Sequence, residues 1–320
     1  MPYAVLLMAY GGPNSLDDIE AYLLDIRGGR ETPPDLVKEV RERYALIGGR
    51  SPLLDITRAQ AQALEEHLNA GAAGPGYRVY VGMRHWYPYI REAVAQIVKD
   101  GLQNVVALCM TPHYSRMSVG AYFQKLREAQ EALGVEAHGR APLHMARVES
   151  WHDHPLFIQA VADKVKSALE RFPAEMWPQV KIVFTAHSLP AALMEQGDPY
   201  EAQLRETARL VAAQLELEAD DWQLCYQSAG AHNFRWLGPQ LEDVVTELAE
   251  AGHKHILVAP IGFVADHVEV LYDIDIACRD LAAAQGVHLE RTESLNTSPI
   301  FIQALADIVY QLTEHDNILL

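Results

Sequence analysis

The sequence predicts an α/β protein of two similar lobes, each a parallel sheet flanked by helices, around a central cleft. Short aliphatic or β-branched runs alternate with amphipathic stretches, and that alternation occurs twice along the chain. The length of 320 residues, 49% of them hydrophobic, suits about two domains at roughly 150 residues each.

The runs Ala4–Ala9, Tyr77–Val81, Val105–Met110, Lys181–Ala186, Gln223–Tyr226 and Ile256–Ile261 read as buried strands. Ile56–Asn69, Tyr89–Asp100 and Tyr200–Leu215 place apolar residues at three- and four-residue steps, the spacing of a helix with one buried face. Strands and helices in that alternation build a parallel sheet covered on both sides. The repeat is visible residue by residue. Pro88 and Gly101 recur as Pro239 and Gly252, both at an offset of 151. ESWHDHPLFIQAVAD is answered by ESLNTSPIFIQALAD, and VLLMAYGGP by IVFTAHSLP, which sets Tyr10 opposite His187. The lobes are expected at 1–171 and 178–320, joined through RFPAEMWPQ. The first lobe is longer by about 26 residues, an insertion within 14–52. It reads as two helices: one stops at Gly28-Gly29, and the other runs from about Pro34 to Gly48-Gly49. Its arginines (Arg27, Arg30, Arg41, Arg43 and Arg50) suggest a lid or substrate wall, with a packing-only insertion as the equal alternative.

Charge narrows the function. With 26 Lys and Arg against 43 Asp and Glu, the net charge is −17, which argues against sequence-independent nucleic-acid binding and against an anionic membrane surface. No apolar run approaches the ~18 residues of a membrane span. The N-terminus enters a strand-like segment without a basic leader, and Cys109, Cys225 and Cys278 lie far apart, outside any CxxC pair. A cytoplasmic monomer is expected.

In parallel sheets, ligands bind beyond the carboxyl ends of the strands. That rule selects Tyr10-Gly11-Gly12-Pro13, Thr111–Ser115, His187–Pro190, Gln227-Ser228 and Asp266–Glu269. Glycine-rich phosphate loops, HExxH and GxSxG are absent, and His267-Val268-Glu269 lacks the PCxxC partner of a zinc deaminase. His187 titrates near neutrality and can ligate a divalent metal, although a strand-end histidine is more often a hydrogen-bonded core residue. Glu269 has a structural alternative as the third residue of a capping box started by Asp266. Asp266, Glu269 and Asp273 also share one helix face, a row that could pass cations or protons. Tyr10 opposite His187 suggests a flat ligand held between a phenol and an imidazole, with a metal at its centre.

At LLMAYGGP, RYALIGGRSPL, TPHYS, TAHSLP, QSAG…WLGP and GFVADHVEVLYD, the sequence resembles the ferrochelatase family from about Val5 to Asp307. The resemblance implies two Rossmann-like lobes and insertion of Fe²⁺ into a porphyrin. It implies that His187 and Glu269 are the catalytic, metal-receiving pair. It also implies that Tyr10 reaches the metal from the opposite face, as in the Gram-positive-type enzymes that convert coproporphyrin III to coproheme. Arg27, Arg43, Tyr44, Ser51 and Tyr122 map to substrate contacts, where guanidinium and hydroxyl donors suit propionates. Two features depart from the resemblance: Ala277 stands where related enzymes can have a further acid, which argues against an outer metal relay, and the GGP after Tyr10 is closer to protoporphyrin-type enzymes, which bears on the substrate. A protoporphyrin IX enzyme and a non-catalytic haem or tetrapyrrole carrier are the alternatives. No cofactor beyond the substrate iron is expected, and no iron–sulfur cluster, since TEHDNILL carries no cysteine.

Overall fold

In this computed structural model, residues 2–71, 76–134, 143–230 and 235–316 are described. The first half of the chain forms β1 (Tyr3–Ala9), α1 (Ile19–Ile26), α2 (Pro34–Leu46), α3 (Leu53–Asn69), β2 (Tyr77–Met83), α4 (Ile90–Lys99), β3 (Asn104–Cys109), α5 (Val119–Ala132) and β4 (His144–Val148). The second half forms α6 (Pro155–Leu169), β5 (Val180–His187), α7 (Ala192–Glu195), α8 (Tyr200–Gln214), β6 (Trp222–Gln227), α9 (Leu241–Glu250) and β7 (His255–Pro260). It continues through α10 (Val268–Leu271), a π-helical turn at Asp273–Cys278, α11 (Arg279–Ala284), β8 (His288–Arg291) and α12 (Pro299–Asp316).

All strand pairs are parallel, and the two sheets have the same order, β2-β1-β3-β4 and β6-β5-β7-β8. β1 is buried along its whole length, as a central parallel strand covered on both faces must be. The even-numbered side chains Ala4, Leu6 and Met8 pack with α4 and α5 through Ile90, Val94, Ile97, Val119 and Leu126. In the second half, Val183, Ile256 and Val258 pack likewise against Val244, Val245, Ile274 and Cys278.

β4 and β8 are absent from the sequence reading. Their sequences, HMARV and HLER, are short, polar and at sheet edges, so they lack the continuous apolar run that marks a central strand. The inserted helices end where their glycines stop them. Gly28, Gly29, Gly48 and Gly49 all have positive φ, and the N–H groups of Gly29 and Gly49 close back on the carbonyls of Leu24 and Tyr44, 2.8 Å each.

The structure divides the chain differently from the expected lobes at 1–171 and 178–320. One unit is Met1–Trp151 with Asn296–Leu320, and the other is His152–Leu295. The repeat-related helices α6 and α12 have therefore exchanged units. α6 packs on α8 and β7, and the Thr207 hydroxyl donates to the carbonyl of His152 at 2.7 Å. α12 packs on α3, where Tyr310 donates to the carbonyl of Leu68 and Thr313 meets the buried Tyr77 hydroxyl at 2.8 Å. Periodicity identifies the apolar face of a helix but not the surface that covers it.

Candidate active site

In the second unit, His187 is the last residue of β5 and Glu269 lies in the first turn of α10. Their meeting links positions 82 residues apart: His187 Nδ1 lies 2.8 Å from Glu269 Oε2. The side chains are 35% and 30% exposed, so the pair is supported from behind and still accessible. With Nδ1 engaged, Nε2 is the imidazole nitrogen available to substrate; a carboxylate on the other ring nitrogen orients a metal-binding histidine and strengthens it as a ligand. Burial pulls the His187 imidazolium down, but the charge and hydrogen bond of Glu269, with the charge of Asp273, more than offset it and raise its pKa above the ordinary value. Burial also opposes ionisation of Glu269, yet His187, His267 and the Ser228 hydroxyl hold its carboxyl well below the usual carboxylate range.

β6 positions α10 from beside. The Gln227 amide donates to the backbone carbonyl of Glu269 at 2.7 Å, and the Ser228 hydroxyl donates to Asp273 Oδ2 at 2.5 Å. Ser228 has φ of +58°, the left-handed region, where a non-glycine residue is uncommon and the side chain is re-aimed. Tyr200 donates to the carbonyl of His187 at 2.9 Å and so holds the end of β5.

The capping-box reading of Asp266 and Glu269 is incorrect. The residue flanking α10 is His267, which makes no side-chain cap, and Asp266 instead accepts from Ser294 at 2.7 Å and lies 3.4 Å from Arg291 Nη1. The expected row of three carboxylates is reduced to Glu269 and Asp273, with Ser228 beside both. Asp266 is drawn off by a cation from β8 that no local pattern reveals.

In the first unit, Tyr10 directly follows β1 and is 40% exposed. Its ring lies 4.7 Å from that of His85, and the Arg84 guanidinium stands 5.9 Å from its centroid. Gly11 has φ of +95°, and a β-carbon there would lie 2.9 Å from the backbone nitrogen of Trp86. A β-carbon on Gly12 would lie 2.5 Å from both Cβ and Oγ of Ser51. The glycine pair thus lets the chain leave β1 between Trp86 and Ser51.

The other expected contacts have different surroundings. Tyr44 and Ser51 are buried, and the Ser51 hydroxyl accepts from the amide of Leu53 at the start of α3. Tyr122 is buried in the core behind β1 and β3, with Arg84 5.7 Å from its ring, and burial raises its phenol well above the ordinary value. Arg43 bonds Glu39 at 2.5 Å, while Arg41 and Arg50 pair with Asp17 and Asp55 at 3.6 and 2.9 Å. Arg27, at the end of α1, has a buried Nε without a partner among the described residues. His113 and Ser115, also selected by the strand-end rule, are fully buried.

Sequence reasoning missed Arg84 and His85. His85 Nδ1 lies 2.7 Å from Asp25 Oδ1, with the Tyr89 hydroxyl 3.4 Å from Oδ2 of the same carboxylate. Burial lowers the His85 pKa despite Asp25. The available signal was position, since Arg84 and His85 directly follow β2 and obey the same strand-end rule as Tyr10.

A parallel α/β unit that sets a carboxylate-backed imidazole at a strand end can serve an enzyme that moves protons or handles a metal ion. The fold is that of the chelatases: the SirB protein from Bacillus subtilis, solved with Fe³⁺, matches at a TM-score of 0.56 over 97% of this chain and 95% of that one, at 14% identity. The sequence comparisons are more specific. The Ferrochelatase family profile matches residues 2–312. Ferrochelatase from Deinococcus radiodurans is 43% identical, with 96% of this chain and 95% of the relative covered. Coproporphyrin III ferrochelatase from Geobacillus thermodenitrificans is 39% identical, with 95% and 94% covered. The chain belongs to the ferrochelatase family, and its reaction is the insertion of iron into a porphyrin. Among the described residues, no helix is long and apolar enough to cross a membrane.

Proposed function

We propose that this protein inserts Fe²⁺ into coproporphyrin III to give coproheme, in the cytoplasm and without an iron–sulfur cluster. The observation that carries the catalytic assignment is the His187–Glu269 pair, 2.8 Å apart at the end of β5. Metallation removes two N–H protons from a planar macrocycle and delivers a cation to its nitrogens. His187 Nε2 and Glu269 supply the donor types that suit Fe²⁺, and the same pair can take up the pyrrole protons. Because Glu269 stabilises the imidazolium, the resting pair holds a proton at neutral pH more readily than a lone histidine. That proton passes to solvent before the pair can act. Nε2 is then free to receive iron or a pyrrole proton, each pyrrole proton taken up leaves to solvent in turn, and Glu269 keeps the imidazole oriented.

Tyr10 is assigned to the macrocycle and its metal, with Arg84 and His85 fixing its ring. Four-propionate coproporphyrin calls for cationic anchors. Arg27 suits that role best, since its buried Nε is unpaired in the described residues, whereas Arg43 already holds Glu39. Tyr44, Ser51 and Tyr122, all buried, are assigned to supporting the segments around Tyr10 and Arg84 rather than to direct donation to the propionates. Several relatives named coproporphyrin III ferrochelatase, at 38–39% identity, support this choice of substrate.

The test is anaerobic incubation with Fe²⁺ and coproporphyrin III, following loss of porphyrin fluorescence, beside protoporphyrin IX and the His187→Ala variant. Many turnovers with coproporphyrin, lost in His187→Ala, are expected. Turnover with protoporphyrin alone refutes the substrate assignment. Tight binding without turnover refutes catalysis in favour of a carrier.

A further inference from the structure

The helix that carries Glu269 is irregular immediately after it. The Tyr272 carbonyl accepts from the amides of both Ile276 (3.2 Å) and Ala277 (2.9 Å), so one extra residue enters the turn. Such an insertion changes the helical register by about 100° between the segments on either side. The π turn and the helix after it are anchored through Ile274, Cys278 and Ala282, which are fully buried in the core behind β5 and β7. A return to regular α geometry would rotate the turn that carries Glu269 relative to that anchored segment and pull the buried Val270 from its place.

One side chain ties this segment on both sides of Glu269. Arg291, at the end of β8 and 11% exposed, donates from Nε and Nη2 to the two oxygens of Asp275 at 2.7 and 2.8 Å. Its Nη1 donates to the carbonyl of Thr292 at 2.8 Å and lies 3.4 Å from Asp266 Oδ1. Asp275 belongs to the π turn, whereas Asp266 directly precedes His267, the residue that flanks the start of α10. A planar guanidinium can hold two carboxylates at fixed angles, which a point charge cannot.

We propose that Arg291 is a positioning residue for metal insertion: by clamping Asp275 and Asp266 it holds the π turn in register and keeps Glu269 against His187. The inference rests on the proposed role of Glu269. Turnover and amide hydrogen exchange in the full-length protein test it together. In Arg291→Gln, kcat falls at least tenfold while the porphyrin KM stays within twofold. Amides of 269–278 exchange at least tenfold faster, and those of β5 and β7 are unchanged. Asp275→Asn reproduces the pattern and serves if Arg291→Gln does not fold. Arg291→Lys, which keeps the charge without the fork, recovers part of kcat. Unaltered exchange across 269–278, kcat within threefold of wild type, or equal acceleration in β5 and β7 overturns the clamp. Wild-type turnover by Glu269→Gln beside faster exchange in Arg291→Gln overturns the site reading instead, so the two failures are distinguishable.

Discussion

Replacing Glu269 by Gln keeps the shape of the side chain and removes the charge that faces His187 at 2.8 Å. A hydrogen bond to a charged group contributes roughly 1.5–3 kcal/mol and a neutral one about 1. Both side chains are about one-third exposed, so screening places the difference near the lower end, ~1 kcal/mol, and the His187 pKa falls in the variant. The pH dependence follows from the two shifts. His187 is raised above 6.5, so its contribution is complete below that value and is lost as pH rises through the folded pKa. Glu269 is depressed below 4.5, so its contribution is complete above that value and is lost as pH falls through its folded pKa. The wild type should therefore exceed Glu269→Gln in stability most between pH 4.5 and 6.5, with the gap closing on both sides. Urea unfolding at a series of pH values reads the gap, and NMR titration of the His187 ring protons reads the pKa directly. A gap independent of pH, or a His187 that titrates below 6.5 in the metal-free wild type, would refute the pairing.

Gly12→Ala puts a methyl group 2.5 Å from Ser51 and should cost about 1–3 kcal/mol by thermal denaturation, with recovery on adding Ser51→Gly. Arg27→Ala should raise the coproporphyrin KM about tenfold with kcat unchanged in steady-state kinetics, because an anchor distant from the reacting nitrogens contributes equally to ground and transition states. Tyr77→Phe deletes the buried bond to Thr313 in α12 and should cost about 1 kcal/mol, seen as a melting point lowered by a few degrees.

The central strands were legible because burial on both faces leaves a continuous apolar run, as in β1 and β7. The glycine pairs at 28–29 and 48–49 marked helix ends because positive φ strongly favours that residue. His187 could be nominated from its place at a strand end and Glu269 from the segment that follows one, and the match between the two halves made Tyr10 notable. β4 and β8 were not legible, because an edge strand needs only a neighbour's backbone to pair with. Asp266 was misread for a related reason: its local sequence favours a cap, and a guanidinium 25 residues onward outcompetes that role.

The central strands and the helix limits are written in the chain as local pattern, since each depends on spacing of 2, 3 or 4 residues, and the repeat is legible as matched segments of the two halves. Which unit receives α6 and α12, which acid meets His187, and where the helix after Glu269 gains its extra residue are set by contacts between residues distant in sequence. Those contacts depend on shape and charge brought together by folding, and many sequences with the same periodicity would make them differently.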